Sequence, residues 1–337
     1  MLLSVIIPVY NVDKYLAQCL DSIVKQITEE VEVLLLDDGS TDKSSEICDL
    51  YEREYSFVKT IHKKNSGVSE TRNLGIRKAR GEYIFFVDGD DWITETAIDS
   101  ILKIISKDLS VDVIIGGNWD YFENEKRISE DSFHHFSDDV IKQKTGEQLF
   151  QYLLSQGTYD WYTVLHIVRR SLLLKHSLYF DRTMIFGEDA VWVPQVLIKS
   201  KRNRYIDSPI YVYRRNRQGA ATQLVNCKSY YNKLMVCKLT EEFCIANRFS
   251  EESTKLLLSN LNRPYTALLA DAWLLPKQKR EFIFQEAERF KRIYKYSPRR
   301  YQRYLYYMEK MIGIKGISWI LHQRASYVRK KIYRGFK

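Results

Sequence analysis

Short apolar runs alternate with amphipathic stretches through the first third of the chain. The runs at residues 2–9, 31–36 and 82–88 are rich in β-branched or aromatic side chains, as buried strands are. Between the first two runs, residues 14–26 place apolar side chains at helical spacing, and helical patterns also follow the later runs. Strands that alternate with helices predict βαβ units and a parallel sheet that is covered on both faces.

The pattern continues less regularly toward the C-terminus. The helix at about 42–55 is expected to be capped near Ser40 or Thr41. Later elements are predicted as a helix at 97–107, a strand at 111–119, a loop or hairpin at about 120–145, a helix at about 146–156, a helix that begins at Glu188 or Asp189, and a strand–turn–strand unit at 203–216. Beyond residue 226 the pattern is helical. The predicted fold class is therefore α/β, with a helical C-terminal region.

Composition and charge narrow the functional class. Five cysteines among 337 residues form no CxxC pair, which argues for reduced thiols in a cytosolic setting and against a disulfide framework or a zinc site. We expect no signal peptide, since the N-terminus lacks a basic segment, and no apolar run reaches the roughly 18–20 residues of a membrane span. The formal net charge is +9, but residues 291–337 carry 14 Lys and Arg against one acid, Glu309. The basic character therefore belongs to the C-terminal region.

Carboxylates directly follow two of the predicted strands, in "DDGSTD" at 37–42 and "DGDD" at 88–91. Both clusters should lie at one edge of the sheet, where ligands bind in α/β folds. They would repel each other unless a cation or a hydrogen-bond donor lay between them. A Mg²⁺ or Mn²⁺ ion with a nucleotide diphosphate would meet this need. The alternative is that these acids are turn residues and helix caps.

Four motifs then carry a resemblance to a known family. In their order and spacing, "SVIIPVYN", "LLLDDGSTD", "NSGVSETRNLGI" and "GEYIFFVDGDDW" resemble the family 2 glycosyltransferases of the GT-A fold. The resemblance covers roughly residues 3–115 and continues more weakly through 187–222. It implies a Rossmann-like, mostly parallel sheet flanked by helices, and a site for a nucleotide sugar.

The resemblance also implies roles for residues at the strand ends. Pro8 and Tyr10 would flank the base and the ribose of the nucleotide. Asp38 would accept a hydrogen bond from the uracil imide, which favours UDP as the carrier, and Asp88 would contact the ribose. Asp90 would be the principal ligand of Mn²⁺ or Mg²⁺ beside the diphosphate, in the position of a DXD motif.

The roles of the arginines and of the third acid are more open. Arg72, in "ETRN", would reach the base or the phosphates, and the alternative is an exposed helix arginine. Arg214 and Arg215 are expected, with Arg217, on a loop that could close over the diphosphate or could simply be a solvated basic loop. Asp91 is expected to cap the following helix.

The sequence also contains a candidate for the catalytic base of an inverting sugar transfer. Such a reaction needs a carboxylate that takes the proton of the acceptor hydroxyl as its oxygen attacks. The segment "FGEDAVW" resembles the family's paired Glu-Asp, so Asp189 would be the base, with Glu188 as its helper or as an acceptor contact. A helix N-terminus would keep Asp189 ionised. The alternative is an acidic pair that only complements the helix dipole.

The same resemblance divides the chain. Residues 1–222 would be the GT-A domain, with a nucleotide-sugar half at about 1–115 and an acceptor half at about 116–222, and residues 223–337 would form a helical basic region. That region interleaves Lys and Arg with aromatic and aliphatic side chains, which suits an anionic membrane surface. Because the catalytic domain is predicted to bind a metal and a nucleotide sugar, we expect a membrane and not a nucleic acid as the partner of this basic region. The alternative is a basic bundle packed on the catalytic domain.

Together these features predict a cytoplasmic, inverting, metal-dependent glycosyltransferase, peripheral at the inner face of the cell membrane. It would move a hexosyl or N-acetylhexosaminyl group from a UDP-sugar to a hydroxyl of a lipid-linked saccharide, in capsular or exopolysaccharide synthesis. A sugar-1-phosphate nucleotidyltransferase would carry a Gly-rich loop after its first strand, where this chain reads "PVYNVDKYL". An inactive protein that binds sugar nucleotides or scaffolds a membrane stays as the alternative, which turnover would remove.

Overall fold

A computed structural model describes most of the chain, namely residues 1–156, 161–184, 187–217, 227–297 and 300–335. The chain divides into two compact units, Met1–Ala220 and Ala221–Lys337. The predicted domain boundary after residue 222 falls outside the described residues. Within them, every helix is too short or too polar to cross a membrane.

A nine-stranded mixed sheet forms the described core of the N-terminal unit. Its strands are β1 Leu3–Val9, β2 Val31–Asp37, β3 Val58–His62, β4 Tyr83–Phe86, β5 Trp92–Ile93, β6 Val113–Phe122, β7 Arg127–Ser129, β8 His166–Arg169 and β9 Asn203–Arg215. They lie in the order β3-β2-β1-β4-β8-β6-β9-β5, and β7 pairs with β6. The strands from β3 to β4 are parallel. Beyond them, β8 pairs antiparallel with both β4 and β6, and β9 joins β6 in parallel. The predicted α/β class is confirmed, with the parallel pairing concentrated in the first 115 residues.

Helices cover this sheet on both faces. They are α1 Asp13–Val24, α2 Ser44–Glu54, α3 Val68–Lys78, α4 Ala97–Lys107, α5 Asp138–Ile141, α6 Gly146–Gln156, α7 Arg170–Lys175 and α8 Asp189–Lys199. Every residue of β2 and of β4 is buried, as their continuous apolar runs require. Helix α3 lies so close to β1 that a Cβ atom at Gly75 would come within 2.5 Å of Ile6 Cγ2. This tight packing holds α3 against β1 and β2.

The predicted cap of α2 near Ser40 or Thr41 is wrong, because the helix begins at Ser44. Ser40 and Thr41 are instead held in the loop after β2. The N–H of Ser40 donates to Asp37 Oδ1 at 2.9 Å, and the N–H of Thr41 donates to Asn11 Oδ1 at 2.8 Å. These residues contact the loop after β1 and so do not join the helix. The spacing of residues in the sequence does not reveal this contact.

The predicted strand–turn–strand unit at 203–216 is also wrong, because β9 is one strand of 13 residues. Its pairing with β6 shifts register where Gly117 lies opposite Pro209. Proline has no backbone N–H for the ladder, and such an irregularity accommodates it without a turn. The continuous strand carries the side chains of residues 211–215 along the sheet toward the acids.

The C-terminal unit is helical in its described part, as predicted. Its helices are α9 Cys227–Ala246, α10 Glu251–Asn260, α11 Asn262–Asp271, α12 Lys277–Ala287, α13 Arg292–Lys295 and α14 Arg300–Gly335. Tyr265 and Tyr294 meet in its core, with ring centroids 5.0 Å apart. The backbone of α14 is interrupted at Gly313, where φ is 69° and ψ is 171°. Glycine tolerates this positive φ, so the long element consists of two helical halves.

Candidate active site

The carboxyl ends of β1, β2 and β4 bring the first group of predicted residues to one edge of the sheet. The three strands are parallel neighbours, so Tyr10, Asp38 and Asp88 all follow a strand at this edge. Pro8 is half-buried near the end of β1, and Tyr10 is 49% exposed. The predicted roles of these residues toward a nucleotide stay predictions.

Asp38 is buried and holds the loop that leads into α3. Its Oδ1 accepts a hydrogen bond from the N–H of Ser66 at 2.8 Å, and its Oδ2 accepts one from the N–H of Gly67 at 2.8 Å. The Lys63 ammonium forms an ion pair with Oδ1. A carboxylate offers about four acceptor positions. Among the described residues, the N–H of Gly67 is the only hydrogen-bond donor to Oδ2, so this oxygen can accept a second bond from a donor such as the uracil imide.

Asp37 is likewise neutralised by its neighbours. It accepts hydrogen bonds from His62 Nδ1 and from the N–H of Ser40, both at 2.9 Å. Burial raises the pKa of Asp37, but the bonds from His62 and Ser40 outweigh burial and hold this pKa below its ordinary value. The other ring nitrogen of His62 lies 2.9 Å from Asp49 Oδ1. This cluster is a satisfied network that fixes the end of β2.

The second cluster, at "DGDD", is organised by β9. Asp91 Oδ2 accepts a hydrogen bond from the Tyr211 hydroxyl at 2.8 Å, and Oδ1 accepts one from the N–H of Arg214 at 2.7 Å. The predicted helix cap by Asp91 is therefore wrong: the carboxylate binds a neighbouring strand. The Tyr211 hydroxyl also accepts a hydrogen bond from the N–H of Asp88 at 3.2 Å. Burial, together with the charges of Asp90 and Asp88, raises the pKa of Asp91 well above its ordinary value.

Asp90, the predicted metal ligand, forms an ion pair with Arg217. Burial raises the pKa of Asp90, and the charge of Asp88 adds to this increase against the opposing effect of Arg217. The cost of burying this carboxylate is therefore larger than the stabilisation that Arg217 provides. A divalent cation would further stabilise its ionised form.

The donor chemistry at Asp88 and Asp90 fits Mn²⁺ or Mg²⁺. Among the described residues, no group of three or more acidic, histidine or cysteine side chains is arranged to hold a metal ion. Mg²⁺, however, is commonly bound by one or two carboxylates together with the phosphates of a substrate. Asp88 and Asp90 are carboxylates of that type, here paired with Arg72 and Arg217, and their role as metal ligands stays a prediction.

Arg72 joins the two halves of the site. It is 3% exposed, so the alternative of an exposed helix arginine is wrong. Its Nη2 donates to Asp88 Oδ1 at 2.8 Å, while Nη1 donates to Glu188 Oε1 at 2.7 Å and to Asp189 Oδ1 at 3.1 Å. The guanidinium lies 5.4 Å from the ring centroid of Phe180. One buried cation therefore connects the "DGDD" segment with the Glu-Asp pair at the start of α8.

The Glu-Asp pair is strongly perturbed by its surroundings. Burial, with the charge of Asp189 as the next contribution, raises the pKa of Glu188 to about 7. Burial also raises the pKa of Asp189, although Arg72 and the hydroxyl of Thr163, 2.5 Å from Asp189 Oδ1, oppose the increase. Desolvation therefore opposes the effect expected from the helix N-terminus, and the ionised state of Asp189 at neutral pH stays a prediction. A carboxylate whose pKa lies near the working pH, as that of Glu188 does, suits general-base catalysis.

Arg214 lies in β9, so its predicted position on a loop is wrong. Its guanidinium is buried and all three nitrogens have partners. Nε donates to the backbone carbonyl of Asp90 at 2.8 Å, Nη2 donates to Gln18 Oε1 at 2.6 Å, and Nη1 pairs with Glu123. The cation also lies 4.8 Å from the Trp92 ring centroid. Arg214 thus anchors the "DGDD" turn to β9, and its contact with a nucleotide stays a prediction.

Arg215 is also in β9, as its last residue, and is half-buried. Its Nε lies 3.0 Å from Asp120 Oδ2, and its guanidinium lies 4.1 Å from the ring centroid of Tyr213. Tyr213 in turn stacks on Tyr162, with ring centroids 5.5 Å apart. The predicted contact of Arg215 with the nucleotide also stays a prediction.

Two residues at this site escaped the sequence interpretation. Thr163 was missed because nothing in its segment marks a hydroxyl that meets a carboxylate 26 residues away. Tyr211 was missed because a tyrosine in a strand is usually a packing residue. Its signal was present, however, since period-2 spacing puts Tyr211, Tyr213 and Arg215 on one face of β9.

Known proteins are similar to this chain in sequence and in fold. The family model described as Glycosyl transferase family 2 matches residues 4–176. Glycosyltransferase GlyG of Streptococcus pneumoniae is 32% identical over 65% of this chain and 72% of its own length. The uncharacterized glycosyltransferase EpsJ of Bacillus subtilis is 30% identical over 64% of this chain, and the match spans only 61% of EpsJ.

A solved structure extends the likeness over nearly the whole chain. The crystal structure of S. aureus TarS 1–349 in complex with UDP-GlcNAc is similar with a TM-score of 0.70 and 18% identity, over 98% of this chain and 92% of that one. This similarity concerns the fold alone. The predicted GT-A architecture is confirmed, and the chain belongs to glycosyltransferase family 2.

Proposed function

We propose that this chain is an inverting, metal-dependent transferase that moves a sugar from a UDP-sugar to a hydroxyl of a saccharide acceptor. The observation that carries the proposal is the link made by Arg72. It places Asp88, at the strand edge where a nucleotide would lie, within one side chain of the perturbed pair Glu188 and Asp189. Donor and base would then share one buried charge network.

In the proposed reaction, Asp189 takes the proton from the acceptor hydroxyl as its oxygen bonds to the anomeric carbon. The bond from that carbon to the diphosphate breaks, and UDP leaves with the electron pair. Arg72 and Thr163 hold the carboxylate of Asp189 in place. Glu188 lies beside the proposed base, and the charge of Asp189 contributes to the raised pKa of Glu188. A divalent cation held by Asp90, with Asp88 near it, would neutralise the departing diphosphate.

UDP is the proposed carrier because Asp38 keeps one free acceptor position at the nucleotide edge. The TarS structure with UDP-GlcNAc, which has the same fold, supports this choice. We place the acceptor on a lipid carrier and the protein at a membrane surface because residues 291–337 are strongly basic and rich in aromatic side chains. A hexose or N-acetylhexosamine would be the sugar, in synthesis of a surface polysaccharide.

A nucleotide-release assay tests the proposal. The purified full chain would be given Mn²⁺ or Mg²⁺ with UDP-, GDP- and CMP-sugars, beside Asp90→Ala and the matched exposed-acid control Asp99→Asn. We expect release from one or two UDP-sugars, lost in EDTA and in Asp90→Ala and kept in Asp99→Asn. Release unaffected by EDTA would contradict metal dependence. Metal-dependent UDP binding without release from any donor would favour the inactive sugar-nucleotide-binding protein.

A further inference from the structure

An unusual surface lies on the first half of α14, before the interruption at Gly313. Six apolar or aromatic side chains are exposed there. Tyr301 (38%) lies beside Arg324, and the other five form what we call the outward stripe: Tyr304 (66%), Tyr307 (62%), Met308 (38%), Met311 (85%) and Ile312 (46%). Such residues, contiguous on one surface, mark an interaction site. We propose that the outward stripe docks on an anionic lipid bilayer.

Helical spacing makes the stripe continuous. Tyr304, Tyr307, Met308 and Met311 recur at intervals of three and four, which places them on one face of the helix. A different face of the helix packs into the unit, since Gln302, Leu305 and Glu309 are buried there in the same turns. The fold therefore covers that face and leaves the outward stripe exposed.

Charge selects an anionic partner for this face. Exposed cations flank the stripe, which we call the basic rim: Arg300, Arg303 and Lys310. Glu309, the one acid between 291 and 337, is 8% exposed and lies 3.7 Å from Lys291. The outward face thus presents positive charge with apolar and tyrosine side chains between the cations. This combination is typical of helices that lie in the headgroup region of a membrane.

The second half of α14 extends the same chemistry. The guanidinium of Arg324 lies 5.1 Å from the ring centroid of Tyr301, although these residues are 23 positions apart. In a straight helix they would be separated by about 34 Å. The chain therefore reverses at Gly313, and the two halves lie side by side. Trp319 (53%) and Tyr327 (69%) are exposed on the second half, and both are interfacial residue types.

A bilayer fits this surface better than two other occupants. A second copy of the chain would bring two basic rims together, and like charges would oppose that pairing. A nucleic acid would match the charge, but methionine and isoleucine side chains do not stack on bases as the aromatic residues do. The inference rests on the membrane placement in the proposed function, for which it names the contact surface, but it does not depend on the sugar chemistry of the N-terminal unit.

Sedimentation with lipid vesicles tests the inference on the full chain. We expect binding to phosphatidylcholine vesicles that contain phosphatidylglycerol, little binding to pure phosphatidylcholine, and a loss of binding as salt increases. Arg303→Gln/Lys310→Gln should reduce partitioning roughly 25-fold, at about five-fold for each cation near the surface. Tyr307→Ser/Met311→Ser should reduce it by at least about ten-fold.

The matched control is Lys277→Gln/Phe282→Ser on α12, where the lysine is exposed and Phe282 is 48% exposed. All three double variants replace exposed side chains, so circular dichroism and Tm should stay at the parent values. Equal binding to both lipid mixtures, or an equal loss in the α12 control, would overturn the inference. So would a dimer in sedimentation velocity that Tyr307→Ser/Met311→Ser dissociates, because a second copy would then cover the stripe. A defect in sugar-nucleotide turnover would instead concern the N-terminal unit.

Discussion

The acidic clusters that follow β2 and β4 lie at one sheet edge but are neutralised in opposite ways. Asp37 and Asp38 receive backbone N–H groups and nearby cations from the loops beside them. The second cluster is taken here as the "DGDD" segment together with the pair Glu188–Asp189, to which Arg72 connects it. Its carboxylates depend on arginines from other elements, Arg217 and Arg72. The first cluster is complete within its own loops, whereas the second has more buried negative charge than its partners neutralise.

The directions of the pKa shifts express this difference. The pKa of Asp37 is lowered, while burial raises those of Asp90, Asp91, Glu188 and Asp189. A site whose carboxylates resist ionisation is prepared for an added cation or for a proton from a substrate. Within one sheet edge, therefore, the first cluster maintains the architecture and the second is suited to chemistry.

Replacement of Arg72 should have the largest effect of the substitutions proposed here, and that effect should fall on the second cluster. Arg72→Gln leaves Asp88, Glu188 and Asp189 without their buried counter-charge, so the free energy of unfolding should fall by about 3–5 kcal/mol. Turnover should fall by at least about 100-fold, since the base loses its orientation. The folded variant should bind more protons than its unfolded chain does, so its stability should recover as pH falls from about 8 to 5. Urea unfolding at both pH values, beside nucleotide release, measures these effects.

Arg77→Gln is the matched control for that experiment. Arg77 lies on the same helix, α3, and is exposed, with Glu70 2.7 Å away. It should cost less than about 1 kcal/mol and leave turnover unchanged. An equally large loss in Arg77→Gln, or a loss in Arg72→Gln that does not depend on pH, would contradict the assigned role of Arg72.

Asp38→Asn should break the first cluster in a different way. The amide loses the charge that strengthens the bonds from Ser66, Gly67 and Lys63, so the free energy of unfolding should fall by about 2 kcal/mol. The kcat per folded molecule should stay within a few-fold, while the KM for the UDP-sugar increases. Urea unfolding and steady-state kinetics test this pair of effects. Unchanged stability together with a large loss in kcat would place Asp38 in the chemistry instead.

Glu188→Gln should shift the pH dependence of kcat/KM. Since the pKa of Glu188 is about 7, kcat/KM of the parent should fall as pH decreases below about 7, where the Glu-Asp pair takes up a proton. Replacing Glu188 removes a like charge from beside Asp189, so the pKa of Asp189 should decrease. The fall in activity should then move by about one unit to lower pH. A pH profile from 5 to 9 decides this, and an unmoved limb would mean that the pair does not supply the base.

His62→Gln should have the smallest effect. Hydrogen bonds from Asp37 and then from Asp49 raise the pKa of His62. Its contribution to stability is therefore complete below the ordinary histidine pKa and is lost as pH increases through the raised value. The variant should show a small decrease in Tm at pH 5.5, none at pH 8.5, and parent-level turnover at both. Thermal melts at the two pH values measure it, and a large loss of turnover would remove the distinction between the clusters.

Local pattern was sufficient for most of the fold. The helix predicted at 97–107 is α4, and the runs at 31–36 and 82–88 correspond to β2 and β4. In each segment the spacing of apolar residues was sufficient to indicate a helix or a strand. Errors arose where distant contacts decide. The bond from Thr41 to Asn11 keeps the segment before Ser44 out of helix α2. The register shift between β6 and β9 accommodates Pro209, so β9 is one continuous strand.

Long-range contacts limited the prediction of the candidate site even more than that of the fold. The acids could be located because they directly follow strands, and the sequence places such positions at one edge. The role of Arg72 depends on carboxylates that are 116 and 117 residues away along the chain. The buried setting of Asp189 likewise comes from packing, so its effect on the pKa of Asp189 could not be predicted from the helix dipole alone.

The most direct test of the account is the sugar-transfer rate of Asp189→Asn, measured beside Asp38→Asn with the same UDP-sugar. The account predicts that kcat of Asp189→Asn falls by roughly 10²- to 10⁴-fold while calorimetry shows parent-level affinity for UDP. Asp38→Asn should keep its kcat within a few-fold. Transfer by Asp189→Asn at the parent rate would contradict the account, because the second cluster would then not contain the catalytic base.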